Sequence, residues 1–182
     1  MKKQTMSEQE LVAGCISNHP ESQEALFKLF SGKMLAVCLR YTANRAEAED
    51  ILQDGFIKVF GKIGSFKNEG SLEGWVKRIM VNTALDQLRK NKKLTISELD
   101  ENWDAIDNQK TSDNLDAKDL MKLVQSLPNG FRTVFNLYAI EGYSHKEIGE
   151  ILGINESTSK SQYSRARSHL MKMLAGLEQT EI

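Results

Sequence analysis

The sequence predicts an all-α protein of two small helical domains joined by an acidic, flexible linker. Apolar residues recur at i, i+3, i+4 spacing through most of the chain, and no stretch alternates in the way a strand would. Only two prolines interrupt 182 residues, of which 40% are apolar, a composition that favours helix. Helical periodicity lapses once, in a stretch crowded with carboxylates. A chain of this length accommodates two domains of roughly 60–80 residues each. The expected division is 1–93 for the first domain, 94–114 for the linker and 115–182 for the second.

Ser7 and Glu10 make a capping box ahead of a short helix with Leu11, Val12, Cys15 and Ile16 facing inward. His19-Pro20 ends it, and Pro20 suits the first position of the helix that follows. Residues 21–42 read as a long helix, apolar at Leu26, Leu29, Phe30, Met34, Val37, Cys38 and Tyr41. Asn44 with Glu47 caps a third helix running to about Ile63, its inward stripe being Ala48, Ile51, Leu52, Phe56, Val59, Phe60 and Ile63. The opposite face carries Asp50, Gln53, Asp54 and Lys58, which composition alone describes as a solvated surface. Residues 64–70 form a loop with one aromatic, Phe66, expected to be exposed. The fourth helix spans 71–90, with Leu72, Trp75, Val76, Ile79, Met80, Ala84 and Leu88 available for a core. Lys77, Arg78, Arg89, Lys90, Lys92 and Lys93 are opposed only by Glu73 and Asp86 in this stretch. Cations suit a helix C-terminus, but six exceed what capping needs. Cations beside an aromatic platform are the composition of a surface that tracks a nucleic-acid strand.

The linker gathers Glu98, Asp100, Glu101, Asp104, Asp107, Asp113 and Asp116. Such a segment keeps a chain soluble; it could also mimic nucleic acid and cover basic faces. Helix resumes over 112–127 and ends at Pro128. Asn129-Gly130 turns the chain into a helix over 131–141, with Phe131, Val134, Phe135, Tyr138 and Ile140 inward. Ser144 with Glu147 is another capping box, opening a helix whose apolar face is Ile148, Ile151 and Leu152. Gly153 suits a left-handed C-terminal position and Asn155 can cap the next helix. That last helix turns Tyr163, Ala166, Leu170, Met173 and Leu177 inward, and Ser157, Lys160, Ser161, Ser164, Arg165 and Ser168 outward. Two short helices around a glycine turn, the second basic and hydroxyl-rich on one face, form a helix-turn-helix.

The chemistry of an enzyme is missing from this pattern. No glycine-rich phosphate loop follows a strand, and His19, His145 and His169 are scattered without a paired ligand or nucleophile. No metal or other cofactor is expected, and no small-molecule substrate. Cys15 and Cys38 lack metal-ligand spacing and are expected to be reduced and buried. The net charge of −1 averages over segregated basic and acidic segments. Without a signal-like start or a long apolar run, a cytoplasmic protein is expected.

The whole arrangement resembles an extracytoplasmic-function sigma factor, a promoter-recognition subunit of bacterial RNA polymerase. The resemblance runs from about Glu21 to Ala175. The segment AEDILQDGFIKVF is similar to the family's polymerase-binding helix. On that match Asp50, Gln53 and Asp54 would contact the clamp of the largest subunit, which replaces the solvated-surface reading of their face. The segment SFKNEGSLEGWVKRIMVNTALDQLRK resembles the part that melts and reads the minus-ten element. Phe66 and its loop would then hold a flipped non-template base, with Asn82 helping to form the pocket, and Lys77, Arg78, Arg89 and Lys90 would follow the strand. The final domain resembles the minus-thirty-five reader. Its second helix would enter the major groove, with Ser157, Thr158, Lys160 and Ser161 near base edges and Arg165 and Arg167 on phosphates or bases. Two positions depart from the commoner family pattern. Ser159 stands where an apolar anchor is usual and is expected to hydrogen-bond back into its own helix; Gln162 replaces a frequent basic residue and removes a phosphate contact. The resemblance further implies core polymerase (clamp and second-subunit flap) and promoter DNA as partners. An anti-sigma factor, often membrane-tethered, is implied as regulator, and the nucleoid as the working location.

Two other readings compete. A stand-alone regulator would use only the C-terminal domain on DNA, and an adaptor would work through protein contacts alone. The Asp50–Gln53–Asp54 face separates them, since a stand-alone regulator has no use for it, and the two basic surfaces disfavour the adaptor.

Overall fold

The computed structural model describes residues 6–90 and 117–178. The acidic linker and the first turn of the helix expected from residue 112 lie outside the described residues. Among the described residues every regular element is helical. The chain divides into two compact units, Met1–Leu88 and Arg89–Ile182.

The first unit contains α1 (Glu8–Ile16), α2 (Pro20–Leu39), α3 (Arg45–Lys62) and nearly all of α4 (Leu72–Lys90). The Ser7 capping box is present, the Ser7 backbone N–H donating to the Glu10 carboxylate at 2.8 Å. Pro20 occupies the start of α2, where its missing N–H costs nothing. Helix α1 packs on α2 at very short range: a Cβ at Gly14 would fall 2.0 Å from Ser22 Oγ. In α2 the buried stripe is Leu26, Phe30, Met34, Val37 and Cys38, continued by Tyr41 just beyond it. Leu29, expected inward, is exposed, because it lies about 120° around the helix from the middle of that stripe. Ile16, likewise expected inward, is exposed at the end of α1.

Helix α3 begins with the Asn44 side chain accepting from the Glu47 N–H at 2.9 Å. Ala48, Ile51, Leu52, Phe56 and Val59 are buried along it, and Ile63 follows in a 3-10 turn over Ile63–Ser65. Each large apolar side chain so buried contributes roughly 1.5–3 kcal/mol, so one face of α3 is committed to the core. After the loop, Ser71 Oγ accepts from the Gly74 N–H at 3.1 Å and starts α4. Leu72, Val76, Met80, Val81, Ala84, Leu85 and Leu88 bury one side of α4. Gly55 lets α3 approach it, since a Cβ there would meet Met80 Sδ at 2.2 Å. Cys15 and Cys38 are free and buried, and burial pushes the Cys38 thiol up to about 12.

The second unit contains α5 (Ala117–Ser126), α6 (Asn129–Phe135), a π turn over Asn136–Ile140, α7 (His145–Leu152) and α8 (Glu156–Glu178). One core cluster joins Val124, Leu127, Phe131, Ala166 and Leu170, with Leu123, Phe135 and Met173 against it. The π turn corrects the helix expected over 131–141. Its wider turn carries Asn136 and Leu137 fully into the interior and leaves Tyr138 and Ile140 partly exposed, although both were expected inward. Arg132 is buried as well: its Nη1 donates to the Gln125 carbonyl at 2.7 Å, and its Nη2 donates to Asn129 Oδ1. A cation on the last carbonyls of α5 satisfies groups a helix end leaves open.

Candidate nucleic-acid interface

Three faces carry the residues singled out by the sequence. The first lies on α3. Asp50, Gln53 and Asp54 are all exposed, and their i, i+3, i+4 spacing places them on one stripe, opposite the buried one. Ile57 continues that stripe and is 70% exposed, so the face is acidic with one apolar residue at its end. Lys58, read from sequence as part of the same polar face, is engaged elsewhere: its Nζ lies 3.2 Å from Asp86 of α4.

The second face involves α4 and the loop before it. Phe66 is only 9% exposed and packs against Trp75, ring centroids 5.6 Å apart and tilted by 52°. The expectation of an exposed aromatic is therefore corrected. The loop turns through Asn68 (φ 56°) and Gly70 (φ 104°), and this fold-back presses the Phe66 ring onto the first turns of α4. Arg78, Asn82, Arg89 and Lys90 are exposed and Lys77 is half-buried. At about 100° per residue, Arg78, Asn82 and Arg89 fall within about 40° of one another. Lys77 and Lys90 lie about 100° and 120° away, to opposite sides. One line of three residues thus runs along α4, with a cation on each flank. The sequence reading treats the four cations as equivalent, because proximity along the chain hides direction around a helix.

The third face is the helix-turn-helix. Ser144 caps α7 reciprocally with Glu147, and Gly153 closes it in the left-handed conformation at φ 70°, as the sequence indicates. The turn is tight: Ile154 N–H donates to the Gly149 carbonyl at 3.0 Å, and a Cβ at Gly149 would lie 2.7 Å from the Ile154 carbonyl oxygen. On α8, Ser157, Ser161, Ser164 and Ser168 are exposed and Thr158 and Arg165 are half-buried. These six lie within about 60° of Ser161. Lys160 and Arg167 are exposed and share one edge of that face. Lys160 pairs with Glu156 at 2.6 Å, and its ammonium holds the Glu156 carboxyl below its usual range. Ser161 Oγ donates to the Thr158 carbonyl at 2.9 Å, and Ser168 Oγ to that of Ser164 at 3.0 Å. Their lone pairs face outward as acceptors.

Ser159 lies at the start of the inward stripe, as expected, but its hydrogen-bond partner differs from expectation, and so does the direction of Gln162. Ser159 is fully buried and bonds across to His145 Nδ1 at 2.9 Å rather than back into its own helix. Gln162 is buried too, its Oε1 lying 3.6 Å from where a Cβ at Gly130 would stand. It therefore points toward α6 and not along the outward edge. His145 and Tyr138 are the residues sequence reading missed here, their rings stacked at 4.1 Å and 8°. The only signal for His145 was its place directly after the Ser144 cap.

Three exposed faces, acidic on α3 and hydroxyl-rich or basic on α4 and α8, suit macromolecular docking. The sequence matches Sigma-70 region 2 over residues 26–94 and Sigma-70 region 4 over residues 117–170. Among curated relatives, the sigma factor SigW of Bacillus subtilis is 31% identical over 162 residues, covering 82% of this chain and 87% of that protein. SigE of Mycolicibacterium smegmatis is also 31% identical over 160 residues, but this chain spans only 62% of its length. Among solved structures, the sigma factor RpoE of Bartonella quintana, determined with the anti-sigma factor NepR, is similar at a TM-score of 0.53 and 25% identity. That match covers 84% of this chain and 96% of the other. The fold and the two matched regions are those of a sigma-70-type transcription initiation factor. The chain belongs to the extracytoplasmic-function sigma factors of RNA polymerase, a family whose members are promoter-specificity subunits and not catalytic enzymes.

Proposed function

We propose that the acidic stripe of α3 docks this sigma factor on core polymerase, with α4 reading the minus-ten element and α8 the minus-thirty-five element. Asp50, Gln53 and Asp54 meet the clamp of the largest subunit, and the second unit meets the flap of the second-largest. Arg78, Asn82 and Arg89 line the path of the non-template strand, flanked by Lys77 and Lys90. Phe66, backed by Trp75, is a wall of the pocket for a flipped base and not a free-standing platform. Extruding a base costs a few kcal/mol, offset by contacts in such a pocket. Ser157, Thr158, Ser161 and Arg165 face base edges, while Lys160 and Arg167 supply backbone charge. The chain supplies no active site of its own. It works in the cytoplasm, on the nucleoid when active, and an anti-sigma factor, membrane-tethered or soluble, restrains it. Among the described residues no helix is long and apolar enough to cross a membrane.

The observation that carries this reading is the segregation on α3. One face is committed to the core, while the opposite face holds three polar residues in exposed register. Reconstitution of the chain with a bacterial core polymerase should give promoter-specific transcription that neither component gives alone. Asp50→Lys with Asp54→Lys should abolish capture of core polymerase in a pull-down without lowering the melting temperature. Undiminished capture by the double variant would remove α3 as the docking face.

A further inference from the structure

We propose that the His145–Ser159 hydrogen bond, with the imidazole stacked on Tyr138, sets the angle of the recognition helix, making both residues positioning residues that never touch DNA. The inference rests on α8 being the upstream DNA reader. Helices α7 and α8 are tied at the turn by the Ile154 N–H to Gly149 carbonyl bond. The two helices also pack directly on each other, and a second, polar tie away from the turn fixes the angle at which they do so. His145 is the first residue of α7, at the end away from the turn, and Ser159 lies in the first turn of α8. Their 2.9 Å contact is that second tie. Ser159 stands about 160° around α8 from Ser161, so the bond holds the helix from behind while the outward residues stay free.

The imidazole belongs to an aromatic cluster: it lies parallel to the Tyr138 ring at 4.1 Å, and Tyr163 packs tilted beside that pair, 4.6 Å from Tyr138 and 5.8 Å from His145. The hydroxyl of Ser159 has a single hydrogen, and His145 is its hydrogen-bond partner among the described residues. In the neutral tautomer that carries its proton on Nε2, Nδ1 accepts from the Ser159 hydroxyl. Protonation of Nδ1 would turn the hydroxyl into an acceptor and leave its own hydrogen buried without a partner, a costly state. The charged groups that act on the ring are Lys160 and Glu156 of α8, with Lys146 next to it in its own helix. Burial first, and Lys160 second, hold His145 below its ordinary 6.5, against the opposing pull of Glu156. The latch is therefore complete above pH 6.5 and is lost as pH falls through the lowered value.

The test uses holoenzyme containing the full chain, transcribing a template pool randomised across the upstream promoter element. Sequencing of the transcribed templates reads the preference at each position. His145→Ala and Ser159→Ala should each weaken the preference about five-fold at pH 7.5. The double variant should match either single, not their product of about 25-fold, because both remove the same bond. In His145→Asn the amide replaces Nδ1 but does not titrate. That variant should keep the wild-type preference at pH 7.5 and hold it to pH 5.5, where the wild type declines. Unchanged preference in the singles, multiplying effects in the double, or a His145→Asn profile that follows the wild type would each overturn the proposal. A wild-type holoenzyme without any upstream preference would instead overturn the reading of α8 on which it rests.

Discussion

Gly149→Ala adds one methyl group at the tightest point of the helix-turn-helix, and two opposing effects decide its sign. Within a helix, alanine is favoured over glycine by about 1 kcal/mol. Against that, the new Cβ would lie 2.7 Å from the Ile154 carbonyl oxygen, where ordinary contact begins at 3.4 Å. The obstructing atom is backbone, held by the Ile154 N–H to Gly149 carbonyl bond at 3.0 Å, so no rotamer change relieves it. Forced overpacking of this kind costs typically 1–3 kcal/mol. Net destabilisation of the second unit by up to about 2 kcal/mol is expected once the propensity gain is subtracted. Thermal unfolding of the full chain with a pull-down on core polymerase checks it: stability and minus-thirty-five-dependent transcription should fall while capture through α3 persists. A variant more stable than wild type by about 1 kcal/mol, as propensity alone predicts, would refute the close approach.

Two other substitutions test separate parts of the structure. Asn82→Ala and Phe66→Ala should each impair promoter opening, read by permanganate footprinting, while core binding is retained. Asn82 is exposed, so its variant should melt like wild type, whereas Phe66→Ala should also lower stability because the ring is packed on Trp75; parallel loss of opening and core binding would make both merely structural. Arg132→Ala removes a buried guanidinium and its bonds to Gln125 and Asn129. A cost of about 1.5–3 kcal/mol per charged hydrogen bond should appear in chemical denaturation of the second unit, and an unchanged midpoint would show that the two bonds contribute nothing.

Local chemistry was legible from the sequence wherever a single segment decides it. The capping boxes at Ser7 and Ser144, Pro20 at a helix start and the left-handed Gly153 follow from their own neighbours, and all are present. The stripes of α3 and α4 were equally readable, since one strong periodicity settles which face is buried. What stayed hidden depends on partners distant in sequence. Phe66 looked like an exposed loop aromatic because nothing local shows that the loop folds back on Trp75. The inward place of Ser159 was legible from periodicity, but its partner lies fourteen residues away, and polarity alone gives no sign that Gln162 turns inward. Tyr138 was misplaced because a π turn shifts helical phase without any signature in the residues around it. Arg132 was passed over for a similar reason: a buried cation is recognisable only once the carbonyl that receives it is in place.

The separation between the docking stripe and the strand-reading line is set by how α3 and α4 are joined. The Lys58–Asp86 pair links them visibly, but both side chains are more than a third exposed, and such pairs contribute at most about 1 kcal/mol. The firmer link is steric. Gly55 admits the Met80 thioether, which a Cβ there would meet at 2.2 Å, and Met80 is itself fully buried, so a larger side chain at position 55 must displace it within the core. Close-packed interiors of this kind transmit displacement instead of absorbing it. On the proposed reading, a polymerase surface that captured Asp50 and Asp54 would also position Arg78, Asn82 and Arg89, without contacting α4. Neutralising the pair with Lys58→Met should leave promoter opening nearly unchanged, while enlarging Gly55 to leucine should disrupt it, because the leucine must push α4 away from the helix that docks. Equal tolerance of both substitutions in a promoter-opening assay would show that α3 and α4 reach their targets independently.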